Sequence, residues 1–376
     1  MNTEFTGQKP CLITSLPSLN NGGSYFFPNT KIKERLMKKL LTLLISLIML
    51  FSVCFSFGCG EDDGGALKVY VPDGAPALSV AKLLADGNSD YDINVVVAST
   101  INTYVTGDNP LADICIMPIN AAVKALGNGN TYTLLGTVTH GNLFILKKGD
   151  APDITESNIS YLIGKKVGVI NLSAVPGLTF KAILSDKNIE FTTLGETNGT
   201  PSVDKVNLVG LADGTQVIPG SECDYFVVPE PALSTKIKAT SSAPVKLSKA
   251  GSLQDLYGNG EGYPQAVVVV RNSVLQEKAD KVNEFINSFN ENTDWLNNET
   301  TTSEQIVNAV TAGFLNANTA PTFSANNLTK EVISNCAIRF AKASEDKQNI
   351  LDYMAKVNAV SNNAFGTPVN EFFYQD

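Results

Sequence analysis

The sequence predicts a two-lobed α/β protein in which each lobe is a mostly parallel sheet flanked by helices and two crossover segments join the pair. Three observations point there. From Leu67 short β-rich runs alternate with helical stretches, the pattern of parallel-sheet units. Two strand-to-proline junctions each occur twice in the same order. After Val270 the strand pattern stops and helical spacing takes over.

The chain has 376 residues, 43% hydrophobic and 17% charged, enough apolar material for one large or two medium domains. A formal charge of -9 and a pI near 4.8 give the long-range field the wrong sign for a polyanionic partner such as nucleic acid or an anionic lipid surface. The first 36 residues lack hydrophobic periodicity and are expected to be an unstructured upstream extension, with translation beginning at Met37. N-terminal peptides containing Cys11 would overturn that reading.

Residues 37–58 read as an export signal: Lys38 and Lys39 precede an apolar run from Leu40 to Val53, followed by Ser56, Phe57 and Gly58. The run is shorter than the roughly 20 residues a membrane-spanning helix needs. Gly58 and Cys59 resemble a bacterial lipoprotein box, which makes Cys59 the expected lipidation site. Ser56 and Phe57 depart from the usual box, and Cys54, preceded by Val53, fits less well. Residues 59–65 then form a short polar leader. Cys115, Cys223 and Cys336 have no disulfide or metal-site spacing and read as small buried hydrophobes.

The strands expected in order are Leu67 to Val71, Ile93 to Ala98, Ile114 to Met117, Leu143 to Lys147, Lys166 to Ile170, Tyr225 to Val228 and Ala266 to Val270. Several are unbroken apolar runs, as strands covered on both faces require. Val69–Val71 leads to Ala75, Pro76, Ala77, Leu78, just as Val167–Ile170 leads to Val175, Pro176, Gly177, Leu178. Asp113 followed by Ile114–Met117 and Pro118 is repeated as Asp224, Tyr225–Val228 and Pro229. Proline fits the first turn of a helix, where its missing donor is not needed. Such junctions lie at the carboxyl ends of parallel strands, the edge where open α/β sheets bind ligands. Two facing copies would frame a cleft.

The first lobe is expected to comprise 66–148 and 262–376, with a joint at Gly149–Pro152. The second comprises 149–261, and the glycines around Gly258–Gly262 mark the return. Val282, Phe285, Ile286 and Phe289, then Ile306, Val310 and Phe314, then Ile350, Met354 and Val357 keep helical spacing and would pack on the first lobe. Thr301 with Glu304 suggests a capping box.

The segments VYVPDGAPALSVAKLL, ADICIMPINAAVKAL, GKKVGVINLSAVPGLTFKAIL, CDYFVVPEPAL and YPQAVVVV, in this order behind a lipoprotein signal, resemble the type II periplasmic binding proteins of ABC importers. That group takes in sulfonate, taurine, nitrate and thiamine-precursor binders and is called NMT1/THI5-like or SsuA/TauA-like. The resemblance covers about Leu67 to Asn290 and implies lobes that close on a ligand. By position it implies a cleft lined by Asp73, Gly74, Ala75 and Pro76, by Ser99 and Thr100, and by Pro118, Ile119 and Asn120. Ser173, Ala174, Val175 and Pro176 would face these, with Pro229, Glu230 and Tyr263 nearby. No Arg or Lys stands in these loops, which disfavours a sulfonate, whereas Glu230 would favour an amine, amidine or aminopyrimidine-like group.

Each residue also has a plain structural reading. Glu230 could cap the helix after Pro231, and Asp73 could serve the turn at Gly74. Asp113 and Asp224 read as strand-entry residues, and His140, the single histidine, as a hinge element. Tyr104, Tyr132 and Phe144 read as core. The function implied is an extracytoplasmic, lipid-anchored, monomeric substrate-binding protein that delivers a small nitrogenous solute to a permease and its ATPase. It would bind no nucleic acid, cofactor or metal and have no catalytic residues. Enzymes of the same fold, acting on pyrimidine or menaquinone-pathway substrates, and surface lipoproteins that bind a protein partner are the alternatives. No nucleophile-base spacing supports the enzyme.

Overall fold

The computed structural model describes residues 65–195, 199–362 and 364–375. The expected upstream extension, export signal and Cys59 lie outside the described residues. Among the described residues no helix is long and apolar enough to cross a membrane.

The chain opens with β1 (Leu67–Pro72), α1 (Ala75–Leu78), α2 (Ala81–Asp86), β2 (Tyr91–Val96), a 3-10 helix (Ala98–Tyr104), β3 (Ile114–Pro118), α3 (Ile119–Leu126) and β4 (Tyr132–Thr139). It continues with β5 (Leu143–Lys148), β6 (Lys166–Ile170), α4 (Val175–Asp186), β7 (Phe191–Leu194), β8 (Val206–Leu211), β9 (Tyr225–Pro229), α5 (Ala232–Ala239), β10 (Leu247–Ser252) and α6 (Leu253–Tyr257). The last part holds β11 (Ala266–Arg271), α7 (Asn272–Glu277), α8 (Ala279–Asn297), α9 (Ser303–Ala312), α10 (Lys330–Asn335), β12 (Ile338–Lys342) and α11 (Ala343–Val360).

These strands form two six-stranded sheets, ordered β12-β4-β11-β3-β1-β2 and β10-β5-β9-β6-β8-β7. Each has a parallel half, β2-β1-β3 in one and β7-β8-β6-β9 in the other. The remaining pairings are antiparallel: β11 and β5, which enter from the other sheet, run opposite to both neighbours, and β12 runs opposite to β4. Five strands of each sheet correspond, β4-β11-β3-β1-β2 with β10-β5-β9-β6-β8, while β12 and β7 are additions at opposite edges. β11, the returning strand, lies beside β3 with Ala266 opposite Pro118, and β5, the outgoing strand, lies beside β9 with Leu143 opposite Pro229. The repeated Asp-to-Pro pattern is therefore the central strand of each sheet. Asp113 and Asp224 hold equivalent posts, their Oδ2 atoms accepting the Lys68 and Lys166 backbone N–H groups at 2.9 Å as those strands begin.

The passage between sheets comes earlier than the glycine-rich joint at 149–152 suggests. β5 pairs wholly within the second sheet, so the chain crosses at 140–142, between β4 and β5. The sequence hides this because β4, YTLLGTVT, is broken by Gly136 and rich in threonine, although all eight of its residues are buried. The return runs through 258–265 to β11.

The C-terminal helices also differ from expectation in one respect. α11 keeps the predicted apolar stripe, with Ile350, Met354 and Val357 buried, yet it packs on α4 of the second sheet as well as on β4. Tyr353, fully buried, shares a 2.7 Å hydrogen bond with Thr179 of α4 and stacks at 5.8 Å on Tyr263 of the return crossing. The capping box sits one residue later than proposed: Thr302 and Gln305 exchange hydrogen bonds at the start of α9. Cys115, Cys223 and Cys336 are buried and free, and burial pushes all three thiols up. Tyr132 and Phe144 are core residues, while the half-buried Tyr104 ring stacks on Tyr70 at 4.1 Å.

Candidate functional site

The two crossings meet where the repeated central strands end. In the first sheet the Ile119 N–H, just past Pro118, donates to the Gln265 carbonyl at 3.1 Å. In the second the Glu230 N–H, just past Pro229, donates to the Asn142 carbonyl at 3.3 Å. The Gln265 amide Nε2 then donates to the Asn142 Oδ1 at 2.7 Å, linking one crossing to the other. Glu230 extends the chain of bonds, since its Oε1 accepts from the Asn335 Nδ2 at the end of α10 at 2.8 Å. Hydrogen bonds thus run without a break from the end of β3, through both crossings, to the end of β9 and back to a helix packed on the first sheet.

Around this chain lie five buried side-chain atoms with no hydrogen bond of ordinary geometry among the described residues: Nδ1 and Nε2 of His140, Oε1 of Gln254, Oε1 of Gln265 and the Tyr263 hydroxyl, the last near the Leu143 and Asn142 backbone and the imidazole near that of Arg339 and Thr137. All belong to the two crossings or to α6, which leads into the second. Buried polar groups in native proteins nearly always have partners, so a concentration of orphans calls for an explanation. The glycines of the crossings bring several of these residues close. A Cβ built on Gly141 would stand 2.8 Å from both the Gln254 Cγ and the Tyr263 Cζ, and one on Gly262 would stand 2.2 Å from the His140 carbonyl oxygen.

His140 is 2% exposed, and burial, aided by the nearby Arg339 charge, pushes its imidazole down to about 3. It is therefore neutral in the folded protein, offering one donor and one acceptor. The sign of the resulting pH dependence follows directly. The unfolded chain takes up this proton near pH 6.5 and the native state does not, so stability is full above that pH and is lost as pH falls toward 3. Between pH 7.5 and 5.5 this should cost about 1.4 kcal/mol. Asp346, whose carboxyl is raised by burial, works in the opposite direction. Urea melts of wild type and His140→Gln at both pH values isolate the histidine: the pH difference should be about 1.4 kcal/mol smaller in the variant, and identical differences would refute a buried neutral imidazole.

The residues nominated from sequence divide into groups. Pro118, Asn120, Glu230 and Tyr263 stand at or next to the crossings. Asn120 is half-buried, and its side chain makes no hydrogen bond among the described residues. Glu230 is 3% exposed and has no Lys or Arg partner among the described residues; Ser234 donates to it through both backbone N–H and Oγ, at 3.2 and 2.8 Å. It thus caps α5 while holding Asn335. Asp73 is occupied elsewhere: its Oδ2 accepts from the Thr322 N–H and Oγ1 at 2.8 and 2.6 Å, and its Oδ1 from the Gly74 N–H at 2.7 Å. Gly74 takes φ +104°, and Ala75 and Pro76 open α1. Ser99 and Thr100 are exposed on the 3-10 helix, with the Thr100 hydroxyl bonded to the Val97 carbonyl. Ser173 is exposed, Ala174 half-buried and Val175 buried at the start of α4, a helix with no side-chain cap.

Sequence reasoning missed Asn142, Gln254, Gln265, Asn335 and Arg339. Two of them had a signal: Asn142 and Gln265 stand directly before the strands that change sheets, at equivalent places in the duplicated pattern. Arg339 pairs with Glu261 of the return crossing at 2.9 Å and donates to its carbonyl at 2.7 Å. Among the described residues no group of three or more His, Cys, Asp or Glu side chains is placed to hold a metal ion.

No family model matches this sequence, and no curated protein matches it. Its fold does match solved structures. An ABC transporter protein from Parabacteroides distasonis is 16% identical, covering 83% of this chain and 99% of its own, with a TM-score of 0.62. The periplasmic aliphatic sulphonate binding protein SsuA from Escherichia coli is 14% identical over 83% of this chain and 92% of its own, at 0.56. The ligand binding component of an ABC-type import system from Staphylococcus aureus, solved with zinc bound, is 12% identical over 82% and 96%, at 0.51. The chain has the α/β fold of type II periplasmic binding proteins, and at these identities the likeness is one of fold.

Proposed function

We propose that this protein is an extracytoplasmic substrate-binding component of an ABC importer, which captures a small polar organic solute between its two lobes and delivers it to a permease driven by an ATPase. The observation that carries this reading is the set of five orphaned polar atoms gathered where the lobes meet. Supporting it is a fold whose solved examples include importer components. The solute would seat on the crossings and the ends of the central strands, near Asn120, Glu230 and Tyr263. The outer loops at Asp73–Pro76, Ser99, Thr100 and Ser173–Val175 would form the walls. The absence of Lys and Arg from these loops favours a nitrogenous solute, such as a thiamine-precursor-like compound, over a sulfonate. The protein would act as a monomer, held at the outer face of the cell membrane by a lipid on Cys59.

A thermal-shift screen of the purified protein against aminopyrimidines, sulfonates, polyamines, amino acids and nucleosides tests the reading. A true ligand at a hundredfold its Kd should stabilise the native state by about 2.7 kcal/mol, a rise in Tm of roughly 5 °C or more. Folded protein with no saturable shift across the panel would sink solute capture. For the anchor, a Cys59→Ala variant should move from the membrane to the soluble fraction, and unchanged fractionation would remove lipidation from the reading.

A further inference from the structure

We infer that the solute is recognised through an uncharged edge carrying both hydrogen-bond donors and acceptors, an amide, urea or neutral heterocycle, seated against His140, Gln254, Tyr263 and Gln265. This rests on the solute-capture reading and specifies its chemistry. The charged candidates near the crossings are already engaged. Glu230 gives both oxygens to Ser234 and Asn335, and Arg339 is paired with Glu261. What remains unpartnered is neutral: two amide oxygens, a phenol hydroxyl and an imidazole with one donor and one acceptor nitrogen. An anion bound here would lack a free cation, and burying an unpaired charge costs far more than burying a hydrogen-bonded neutral group; a cation would have to share the Glu230 carboxylate with Ser234 and Asn335 and would bring no acceptor for the imidazole and phenol donors. A neutral edge with donors for the Gln254 and Gln265 oxygens and an acceptor for the phenol or imidazole would pair groups of both kinds. Discrimination by such groups is strong, because an analogue that lacks a matching donor or acceptor leaves buried polar atoms unpaired.

Orphaned polar atoms also predict an unusual stability response. Removing a group that has no partner in the ligand-free protein relieves a desolvation cost and loses no bond. Tyr263→Phe and Gln254→Met should therefore melt no more than about 1 °C below wild type, or above it, in the ligand-free full-length protein. A fall of several degrees in either variant would mean that its polar atom has a partner, and would overturn the inference. The second arm uses matched probes on wild type and both variants: nicotinamide, cytosine and thymine as neutral edges, agmatine as a cation and taurine as an anion. The expected result is a saturable shift with at least one neutral probe and none with agmatine or taurine, and an affinity at least tenfold weaker in both variants. A response to agmatine or taurine that survives in the variants overturns the neutral edge while leaving solute capture standing. Silence with all five probes also overturns it, and the wider metabolite screen then decides separately whether the protein captures a solute.

Discussion

Replacing Gly177 with alanine should destabilise the protein by about 3 kcal/mol, the upper end of the usual range for overpacking, and lower Tm by roughly 6 °C or more. Gly177 is the third residue of α4, and an added Cβ would stand 1.8 Å from the Leu172 carbonyl oxygen and 2.4 Å from its carbon. Both are backbone atoms, so no rotamer change relieves the clash. The loop cannot easily retreat. Asn171, at φ 54°, donates its N–H to Leu211 at 3.0 Å and accepts from the Ala174 N–H at 2.9 Å, fixing the loop between β6 and α4. In the first lobe the equivalent residue of the repeated pattern is Ala77, so the duplication alone would have passed alanine here as harmless. Moving the start of α4 also shifts Ser173 and Ala174, so the ligand-induced Tm shift should shrink along with stability. A variant that melts with wild type would show that the Leu172 carbonyl does not lie against α4 in solution.

The contrast between Ala77 and Gly177 illustrates what the sequence could and could not reveal. The repeated proline junctions were legible because they depend on local chemistry: an apolar run buried on both faces, then a residue that fits only the first turn of a helix. They marked one strand in each lobe, which the structure places at the centre of its sheet, and the equivalence of Asp113 with Asp224. Strands whose residues are set by neighbours were not legible. β4 is buried throughout, yet it carries threonine and glycine because β11 and β12 cover its edges and α11 one of its faces, so its composition reads as a loop. The crossing was therefore read about eight residues late. The same limit applies to the site. Loops at strand ends could be nominated by position, but Asp73 turned out to hold Thr322, a residue 249 positions away. Gln254 and Gln265 became candidates only once their oxygens were found buried without partners, a property that depends on the whole fold.

Glu230→Ala should cost about 3 kcal/mol or more, because it strips three hydrogen bonds from a buried carboxylate and leaves the Ser234 N–H and the Asn335 amide without an acceptor. Two roles are mixed in that number, and a double-mutant cycle separates them. The Ser234 bonds lie within the second lobe and cap α5, whereas the Asn335 bond joins the second lobe to α10 on the first. Pairing Glu230→Ala with Asn335→Ala in urea denaturation should give a coupling energy of about 1.5 kcal/mol or more, the scale of a hydrogen bond to a charged acceptor. Glu230→Gln should fall between alanine and wild type, since the amide keeps one acceptor oxygen but adds two donors in a place already supplied with them. A coupling near zero would mean that the lobes do not meet through this pair in solution, and Glu230 would be reduced to a helix cap. A coupling of the expected size has a functional consequence: the lobes hold each other through Glu230 and Asn335 without any solute, so the orphaned atoms beside them are buried before a ligand arrives. On the proposed function a solute would then gain entry by opening this contact, and Asn335→Ala should speed association in stopped-flow binding while leaving the neutral-edge preference unchanged.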